Sequence, residues 1–308
     1  MQEVTVRSPA TVANVVCGFD CLGFALSEPY DEITVRKIDE PGIKIVNVDE
    51  HDLPTNWAEN VSGVALKALL SAANIAQGIE IISQKNIKPG SGIGSSSASA
   101  AGVVVAANHL LGEKFSQSEL VNFAMEGEKL ASGSRHADNV SPCIFGGFTL
   151  VRSTEPLDVI QLHFATMWAT VIHPQIEIKT SEARALLPQM VSLKDAVKNW
   201  SNLGAFVSAL AKNDHETLGR AMTDAIVEPA RQDLIPHFAD VKAASLKAGA
   251  IGGGISGSGP SMFMLSASEE VAVRVESAMT SIYASSGYAF NTYVSAIDRS
   301  GVAVISSR

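Results

Sequence analysis

Residues 88–98 read Lys-Pro-Gly-Ser-Gly-Ile-Gly-Ser-Ser-Ser-Ala, and this stretch decides the predicted fold. A predicted strand at 80–83 precedes it, and a predicted helix rich in Ala and Val, at about 97–111, follows it. Glycine lets a backbone approach an anion closely, and the free N–H groups at the start of a helix then point at that anion. We therefore predict a phosphate-binding loop. A flexible linker is the alternative interpretation, but it gives no reason for the tight helix that follows.

Other glycine and nucleophile motifs do not fit this chain. The pattern G-x-x-x-x-G-K-[ST] is absent at the loop because Ser95 follows Gly94. A G-x-G-x-x-G pattern occurs at 252–257, but Pro260 and a predicted strand at 261–265 follow it instead of a helix, which argues against a dinucleotide site. No G-x-S-x-G is present, so the nucleophile elbow of the α/β-hydrolases is excluded.

Charge and composition exclude further classes of protein. The 308 residues carry 23 Lys and Arg against 32 Asp and Glu, a net charge of −9. Nucleic acids and anionic membrane surfaces both attract clustered basic side chains, so we predict neither partner. The longest apolar stretch, 98–107, is shorter than the ~20 residues that cross a bilayer. Three cysteines, an odd number, make no disulfide framework, so we expect reduced, buried thiols in a cytoplasmic protein.

Strand and helix patterns alternate along the chain, which predicts an α+β fold. A polar, proline-containing stretch at 153–158 is the weakest join, so we predict two domains, 1–155 and 156–308. Ser116 and Glu119 have the spacing of a capping box, the run 193–225 reads as helical, and the glycines at 252–254 read as a turn. The other predicted strands are 4–7, 32–36, 148–152, 168–172 and 291–297, and the other helices are 57–73, 116–133, 181–187, 236–248 and 269–284.

Three motifs resemble those of the GHMP kinase superfamily, named for galactokinase, homoserine kinase, mevalonate kinase and phosphomevalonate kinase. The loop 89–98 resembles the family's phosphate loop, roughly P-x-G-x-G-L-G-S-S-A, with Ile93 and Ser97 as departures. Residues 9–20 resemble its N-terminal motif and residues 254–260 its C-terminal glycine motif. The resemblance covers nearly the whole chain. It implies a two-domain GHMP kinase fold, with a ribosomal protein S5 domain 2-like N-terminal half and a ferredoxin-like C-terminal half.

Within the superfamily, the homoserine kinase family is the best match to the motifs. Its pieces resemble Arg-His-Ala-Asp-Asn at 135–139, Thr-Ser-Glu-Ala-Arg at 180–184 and Glu-Pro-Ala-Arg at 228–231, whereas Val16-Cys17 stands where the family usually has Gly-Pro. The resemblance implies phosphorylation of L-homoserine to O-phospho-L-homoserine in threonine biosynthesis, with ATP and Mg²⁺, by a homodimer. Two other functions stay open: a superfamily kinase for a different alcohol, and a nucleotide-binding regulator without catalysis.

The helix predicted at 116–133 offers two glutamates. Glu128 falls beside Val121 at the rim of the apolar face, whereas Glu126 falls on the polar face. A carboxylate that points inward needs a partner such as a metal ion, so we predict Glu128 as an Mg²⁺ ligand and Glu126 as solvent-exposed. By resemblance, Ser96 completes the metal site and Asn60 contacts the adenine, although an ordinary polar role for Asn60 is equally open. The predicted nucleotide-binding residues are Asn60, Lys88, Pro89, Gly90, Ser91, Gly92, Ile93, Gly94, Ser95, Ser96 and Ser97.

A pocket for an amino-acid alcohol needs a carboxylate or amide for the ammonium group and a guanidinium for the carboxylate. By resemblance, Asn14, Asp20 and His136 contact the amino-acid end and the hydroxyl of the substrate. Arg184 and Arg231 hold the substrate carboxylate. Surface roles for the arginines, a structural role for the histidine and a helix-capping role for the threonine stay open. The predicted substrate-binding residues are Asn14, Asp20, His136, Thr180, Arg184 and Arg231.

The mechanism centres on two neighbouring residues of the 135–139 motif. The resemblance makes Asp138 and Asn139, together with Glu128, the catalytic residues. In related kinases an Asp near this place acts as a general base, whereas resemblance to the homoserine kinases implies no dedicated base and a hydroxyl that polar groups orient. We therefore predict that Asp138 and Asn139 position the substrate rather than both transferring a proton.

Overall fold

The computed structural model describes every residue from Met1 to Arg308 and contains two β-sheets with helices packed against them, which confirms the predicted α+β fold. The strands are β1 (Glu3–Ala13), β2 (Leu22–Ile38), β3 (Ile43–Asn47), β4 (Gly78–Gln84), β5 (Phe148–Thr154), β6 (Leu157–Leu162), β7 (Trp168–Pro174), β8 (Gly252–Ile255), β9 (Met262–Ser266), β10 (Phe290–Ala296) and β11 (Ala303–Ser307). The α-helices are α1 (Val61–Ala72), α2 (Ser95–Leu110), α3 (Gln117–Ser132), α4 (Val140–Phe145), α5 (Thr180–Ala185), α6 (Leu193–Lys212), α7 (His215–Ala221), α8 (Glu228–Arg231), α9 (Phe238–Lys247) and α10 (Glu269–Tyr283), and 3-10 turns lie at Trp57–Glu59 and Gln232–Leu234.

The larger sheet has seven strands and is organised by the 17-residue strand β2. Strand β1 pairs with β2 along most of its length, β4 pairs with the second half of β2, and β5 pairs with its first residues. Alternate residues such as Val4, Val6, Ile33 and Val35 are fully buried, because side chains alternate between the two faces of a strand. They pack with α1, α2 and α3 into one core of 27 residues, so the helix that follows the phosphate loop is fixed on this sheet.

The smaller sheet has four antiparallel strands in the order β10-β7-β9-β8, and α9 and α10 pack on it. An aromatic cluster lies between the two sheets. The ring of Phe24 on β2 lies 4.9 Å from Phe148 on β5 and 5.5 Å from Phe263 on β9, measured between centroids. Phe206 on α6 joins the same cluster. The two sheets therefore share buried contacts, which fix how they lie relative to each other.

Most predicted elements are present, and the capping box of Ser116 and Glu119 opens α3. Two predictions are wrong. Residues 252–254 form strand β8 rather than a turn, because Gly253 lies so close to β9 that an added Cβ would fall 2.0 Å from the carbonyl oxygen of Phe263. The helical run 193–225 is broken where Asn213 ends α6 in the left-handed conformation, with a φ of 55°, and α7 then ends at residue 221. The sequence patterns do not predict β3, α4, β6 or β11.

The predicted domain boundary lies in the tight turn between β5 and β6, and both of these strands belong to the larger sheet. The chain returns to this sheet at its end, where β11 pairs with β1. The larger sheet thus contains residues from both sides of position 155, and the two-domain division stays a prediction. None of the helices combines the length and apolar character that crossing a membrane requires. All three cysteines are free, as expected, and Cys17 and Cys143 are buried.

Candidate active site

A cleft of about 740 Å³ is lined by the phosphate loop, the end of α3, α5 and the loop after β1. A cleft of this size fits a small-molecule ligand. Lys88, Ser91, Ile93 and Ser97 do not line it. The predicted site residues that do line it are Asn14, Asp20, Asn60, Pro89, Gly90, Gly92, Gly94, Ser95, Ser96, Glu128, His136, Asp138, Asn139, Thr180, Arg184 and Arg231.

Alternating glycines shape the phosphate loop. Gly90, Gly92 and Gly94 have φ angles of 73°, 80° and 72°, in the left-handed region that favours glycine. An added Cβ on Gly92 would lie 2.5 Å from the carbonyl oxygen of Gly259, and one on Gly94 would lie 2.0 Å from Oγ1 of Thr11. Gly94 is also the N-cap of α2, whose first N–H groups have no partner within the helix. The loop therefore offers backbone donors and helix-dipole charge to an anion, as predicted.

The C-terminal glycine motif supports this loop from the smaller sheet. Ser256 Oγ donates to the carbonyl oxygen of Gly92 (2.7 Å), and Ser261 Oγ donates to that of Ser91 (2.6 Å). These bonds occupy carbonyl oxygens of the loop rather than its N–H groups, of which that of Ser91 donates to the carbonyl oxygen of Lys88 (3.2 Å). The segment 254–260 is therefore not merely a tight turn, because it holds the phosphate loop in place.

Four loop residues contribute through the backbone or through packing rather than through a side chain in the cleft. Ile93 is fully buried in the core, and the hydroxyls of Ser91 and Ser97 are buried without hydrogen-bond partners. Lys88 Nζ donates to Gln175 Oε1 (2.6 Å) at the surface. One side of the loop thus faces the cleft and the other side faces the core. The sequence motif does not show which residues lie on which side.

A buried lysine beneath the loop was not among the predicted site residues. Lys85 forms an ion pair with Asp31, and both side chains are almost fully buried. Lys85 Nζ also donates to the carbonyl oxygen of Ser95 (2.9 Å) and to Oγ of Ser99 (2.8 Å), both in the first turns of α2. The sequence feature that could have identified Lys85 is its position between the predicted strand 80–83 and the loop. Lys85 holds the start of α2 and lines the cleft.

Glu128 points inward from α3, as its place at the rim of the apolar face predicts. Its side chain is almost fully buried, and Oε1 accepts no hydrogen bond. Burial raises the pKa of this carboxyl, and the hydroxyl of Ser96 beside it acts in the opposite direction. Glu126 lies on the outer side, where its Oε1 is 3.2 Å from Arg135 Nε. The carboxylate of Glu128 and the adjacent hydroxyl of Ser96 are oxygen donors of the kind that suits Mg²⁺.

Asn60 lines the cleft and caps α1. Its Oδ1 accepts from the N–H groups of Ser62 (2.9 Å) and Gly63 (3.4 Å). Its Nδ2 donates to the carbonyl oxygen of Pro54 (2.7 Å). The side chain is therefore neither a free surface group nor an ordinary helical one. One Nδ2 hydrogen remains for a ligand, so the predicted adenine contact stays a prediction.

Asp20, His136 and Arg184 form one polar cluster in the cleft. Nη2 of Arg184 donates to Asp20 Oδ1 (2.9 Å) and Oδ2 (3.1 Å) and lies 3.2 Å from Nε2 of His136. Burial lowers the pKa of His136, so the imidazole is neutral near pH 7 and Nε2 accepts the arginine N–H. Thr180 begins α5 rather than capping it, because Lys179 occupies the N-cap position. The capping interpretation of Thr180 is therefore wrong.

Arg231 is buried in the wall of the cleft without an acidic partner. Its Nε donates to the carbonyl oxygen of Ala183 (3.0 Å) and its Nη1 to that of Gly257 (3.4 Å), and only 3% of its surface is exposed. The guanidinium groups of Arg231 and Arg184 both lie over the ring of Phe19, at 5.4 and 5.5 Å from its centroid. Phe19 was not predicted as a site residue. Its place between two motif residues, Gly18 and Asp20, was the available signal.

Asp138 and Asn139 lie between the phosphate loop and the polar cluster. Burial raises the pKa of Asp138 to about 7, and the nearby charges of Asp20 and Glu128 add to the effect. Asn139 Oδ1 accepts a hydrogen bond from Thr11 Oγ1 (2.8 Å). Both residues therefore lie close to the phosphate loop and to the polar cluster.

Comparison with known proteins agrees with this arrangement. The family models GHMP kinases N terminal domain and GHMP kinases C terminal match residues 60–147 and 206–285. The fold is similar to the crystal structure of L. major mevalonate kinase in complex with R-mevalonate, with a TM-score of 0.72 at 16% identity, over 94% of each chain. The chain belongs to the GHMP kinases.

Relatives that match nearly the whole chain show which family of the GHMP kinases it belongs to. The crystal structure of homoserine kinase from Cytophaga hutchinsonii has a TM-score of 0.95 at 47% identity, over 99% of this chain and 98% of that one. Homoserine kinases of Chlorobium phaeobacteroides and Methanococcus vannielii are 45% and 43% identical, over 92% and 88% of this chain and 92% and 90% of their own lengths. Within the GHMP kinases, the chain belongs to the homoserine kinase family.

Proposed function

We propose that this chain transfers the γ-phosphoryl group of ATP to the hydroxyl of L-homoserine, releasing ADP and O-phospho-L-homoserine for threonine biosynthesis. The observation that carries the proposal is the buried guanidinium of Arg231, which faces the cleft and has no acidic partner. A buried cation without a counter-ion is costly, and the carboxylate of an amino acid would supply one. Asp20 offers a carboxylate to the ammonium group of the same ligand.

The nucleotide phosphates belong at the glycine loop in this proposal. Glu128 and Ser96 would hold Mg²⁺, because the orphaned buried oxygen of Glu128 and a hydroxyl oxygen are the hard ligands that this ion prefers. Bound Mg²⁺ neutralises charge on the phosphates of ATP. We expect Glu128→Gln to raise the Mg²⁺ concentration needed for half-maximal activity at least ~10-fold, because an amide is a weaker ligand for this ion. An unchanged Mg²⁺ dependence would contradict this role.

Asp138 and Asn139 act on the acceptor hydroxyl in this proposal. Asp138 accepts a hydrogen bond from the substrate hydroxyl. This bond orients a lone pair of the hydroxyl oxygen toward the γ-phosphorus. Positioning of this kind supplies much of the rate enhancement of phosphoryl transfer, since little covalent chemistry is left to the protein. His136, neutral and hydrogen-bonded to Arg184, keeps that arginine in place beside the substrate.

One assay separates this function from its rivals. ADP release is measured with Mg-ATP and, in turn, L-homoserine, mevalonate and galactose. We expect turnover with L-homoserine alone, because galactose and mevalonate lack the ammonium group that Asp20 would bind. Turnover of another alcohol in preference to L-homoserine would support the rival superfamily kinase. Binding of ATP with no turnover of any alcohol would support the regulator.

We also propose that the chain acts as a cytoplasmic homodimer that associates through α6. Leu193, Val197 and Trp200 are 74%, 42% and 55% exposed and form one stripe at helical spacing, which Gly204 continues. Every residue of this stripe is uncharged, so a second copy can lie against it about a two-fold axis without opposing like charges. Sedimentation velocity should give a dimer for the wild type and a monomer for Trp200→Glu. A monomeric wild type would contradict the proposal.

A further inference from the structure

Thr11 on β1 contacts both the phosphate loop and the catalytic segment. The residue is fully buried, and its N–H donates to the carbonyl oxygen of Ile93 (3.1 Å). Its Oγ1 donates to Oδ1 of Asn139 (2.8 Å), and the same Oγ1 lies where a Cβ on Gly94 would fall. Thr11 is therefore in direct contact with the glycine that begins α2 and with the side chain of a predicted catalytic residue.

The hydroxyl of Thr11 is hydrogen-bonded to one end of the Asn139 amide. An asparagine amide has an acceptor oxygen and a donor nitrogen at similar positions, and its partners decide which points where. The proton of the Thr11 hydroxyl has no other acceptor in the structure. A flipped Asn139 amide would leave this buried donor unpaired, which is costly. The observed orientation keeps Oδ1 against Thr11 and leaves Nδ2 without a protein partner in a residue that lines the cleft.

The orientation matters because the cleft binds anions at this end. An Nδ2 group presents two N–H donors to phosphoryl oxygens, whereas a flipped amide would present an oxygen and repel them. We propose that Thr11 is a positioning residue for phosphoryl transfer, whose hydroxyl fixes Asn139 with its N–H donors toward the transferred group. This inference rests on the kinase activity proposed above. Thr11 touches neither substrate and acts through Asn139.

Steady-state kinetics of matched variants test the proposal. Thr11→Val removes the hydroxyl and should lower kcat about 10-fold while the KM for L-homoserine stays within about 2-fold, because the lost hydrogen bond acts in the transition state. Thr11→Ser keeps the donor and should restore kcat. Thr149→Val is the matched control, since Thr149 is equally buried but its hydroxyl has no partner. Wild-type kcat in Thr11→Val, or an equal loss in Thr11→Ser, would overturn the proposal.

A double-variant cycle tests whether Thr11 acts through Asn139. In the Asn139→Ala background, Thr11→Val should cause no further loss of kcat, because the group that it positions is already absent. The same 10-fold loss in both backgrounds would mean that Thr11 acts independently and would overturn the proposal. Thr11→Cys, which keeps a weak donor, should have an intermediate kcat and serves in place of Thr11→Val if the latter does not fold.

A measurement without turnover separates this inference from the proposed function. Selective ¹⁵N-asparagine labelling gives the side-chain NMR signal of Asn139, identified by its loss in Asn139→Ala. We expect one sharp Nδ2 signal in the wild type and in Thr11→Ser, and a shifted or broadened one in Thr11→Val. If L-homoserine is not phosphorylated but this dependence on Thr11 holds, the substrate is wrong and the positioning role stands. An Asn139 signal that is insensitive to Thr11→Val would overturn the role, whatever the substrate.

Discussion

Two parts of the cleft present different groups: backbone N–H groups at the phosphate loop, and charged side chains at the polar cluster. At the phosphate loop, glycines at 90, 92 and 94 and the start of α2 present backbone N–H groups to the cleft, and the side chains of Ser91, Ile93 and Ser97 are buried. In the other part of the cleft, the side chains of Asp20, Arg184 and Arg231 carry the charge, and Asp20 itself has a left-handed φ of 58°. A site built from backbone donors is disrupted when side-chain atoms are added beside it. A site built from charged side chains is disrupted when one of those side chains is removed.

This difference explains how an acidic chain binds an anionic nucleotide. The net charge of −9 disfavours long phosphate polymers, which need a basic surface. A single triphosphate needs only local donors, and a glycine loop at a helix start supplies them without any basic residue. The buried pair of Lys85 and Asp31 adds no net charge beneath the loop. The surplus of carboxylates therefore does not prevent this site from binding phosphate.

Adding a single methyl group should disrupt the backbone end. Gly94→Ala places a Cβ 2.0 Å from Thr11 Oγ1 at a φ of 72°, so the loop must move by an ångström or more. We expect kcat/KM to fall about 10³-fold, because displacement of this size misaligns several donors at once. Gly90 has nearly the same φ, but a Cβ added there meets no atom within 4 Å. Gly90→Ala should therefore introduce about 1 kcal/mol of backbone strain and lower kcat/KM far less than Gly94→Ala does. Similar losses in both variants would contradict the steric argument.

Removing one charge should disrupt the side-chain end selectively. Arg231→Gln should raise the KM for L-homoserine about 100-fold and leave the KM for ATP within about 2-fold, because hydrogen bonds between charged groups contribute about 1.5–3 kcal/mol. Arg299→Gln is the control, since Arg299 also lies over a phenylalanine ring, at 4.1 Å, but outside the cleft. A matched rise in the KM for ATP would show that the two ends are not independent.

The junction between the ends should be the most tolerant of change. Asp138→Asn keeps a polar group that can orient the acceptor hydroxyl, so we expect kcat to fall only about 10-fold. General-base catalysis contributes about 10²–10⁴-fold, and a loss near 10⁴-fold would therefore identify Asp138 as a true base and overturn its positioning role. The measurement is kcat at saturating ATP and L-homoserine, with Thr149→Val as a control for a buried substitution outside the cleft.

The same variant should change how stability depends on pH. Burial raises the pKa of Asp138 to about 7 in the folded chain, whereas an unfolded Asp titrates near 4. Between these values the folded state holds a proton that the unfolded state has released, so the contribution of Asp138 to stability falls as pH rises from about 4 to about 7. Asp138→Asn should therefore gain unfolding free energy over the wild type across this window, by up to about 4 kcal/mol at pH 8. A gain that is equal at pH 4 and pH 8 in urea unfolding would contradict this.

The motifs predicted the ligand-facing residues better than they predicted the supports of those residues. The glycine spacing, the inward position of Glu128 and the capping box at Ser116 are local consequences of backbone geometry, and the structure confirms each of these features. Thr11, Lys85 and Phe19 were not predicted as site residues. Each contacts the site through tertiary packing. Lys85 and Phe19 lie beside motif residues in the sequence, but that position does not show which group the side chain contacts.

Element boundaries failed for a similar reason. Glycines at 252–254 are typical of a turn, but close packing against β9 gives them a place in a strand. Strand β11 lies near the end of the chain and forms part of the larger sheet only because β1 offers it an edge. The strand with which a segment pairs is decided by the whole fold, so a local sequence pattern does not predict that pairing.

The sequence by itself determined the chemistry of the chain: a phosphate loop, an inward carboxylate, and acidic and basic groups suited to an amino acid. The phosphate loop and the inward carboxylate follow from residue type and spacing, because glycine conformations and helical faces repeat within a few residues. The acidic and basic groups for an amino acid are what the family resemblance implies. Only the tertiary structure decided that Arg184 pairs with Asp20 while Arg231 has no acidic partner, and that Thr11 holds Asn139. The Arg184–Asp20 and Thr11–Asn139 contacts join residues 164 and 128 positions apart, so only the folded chain brings them together.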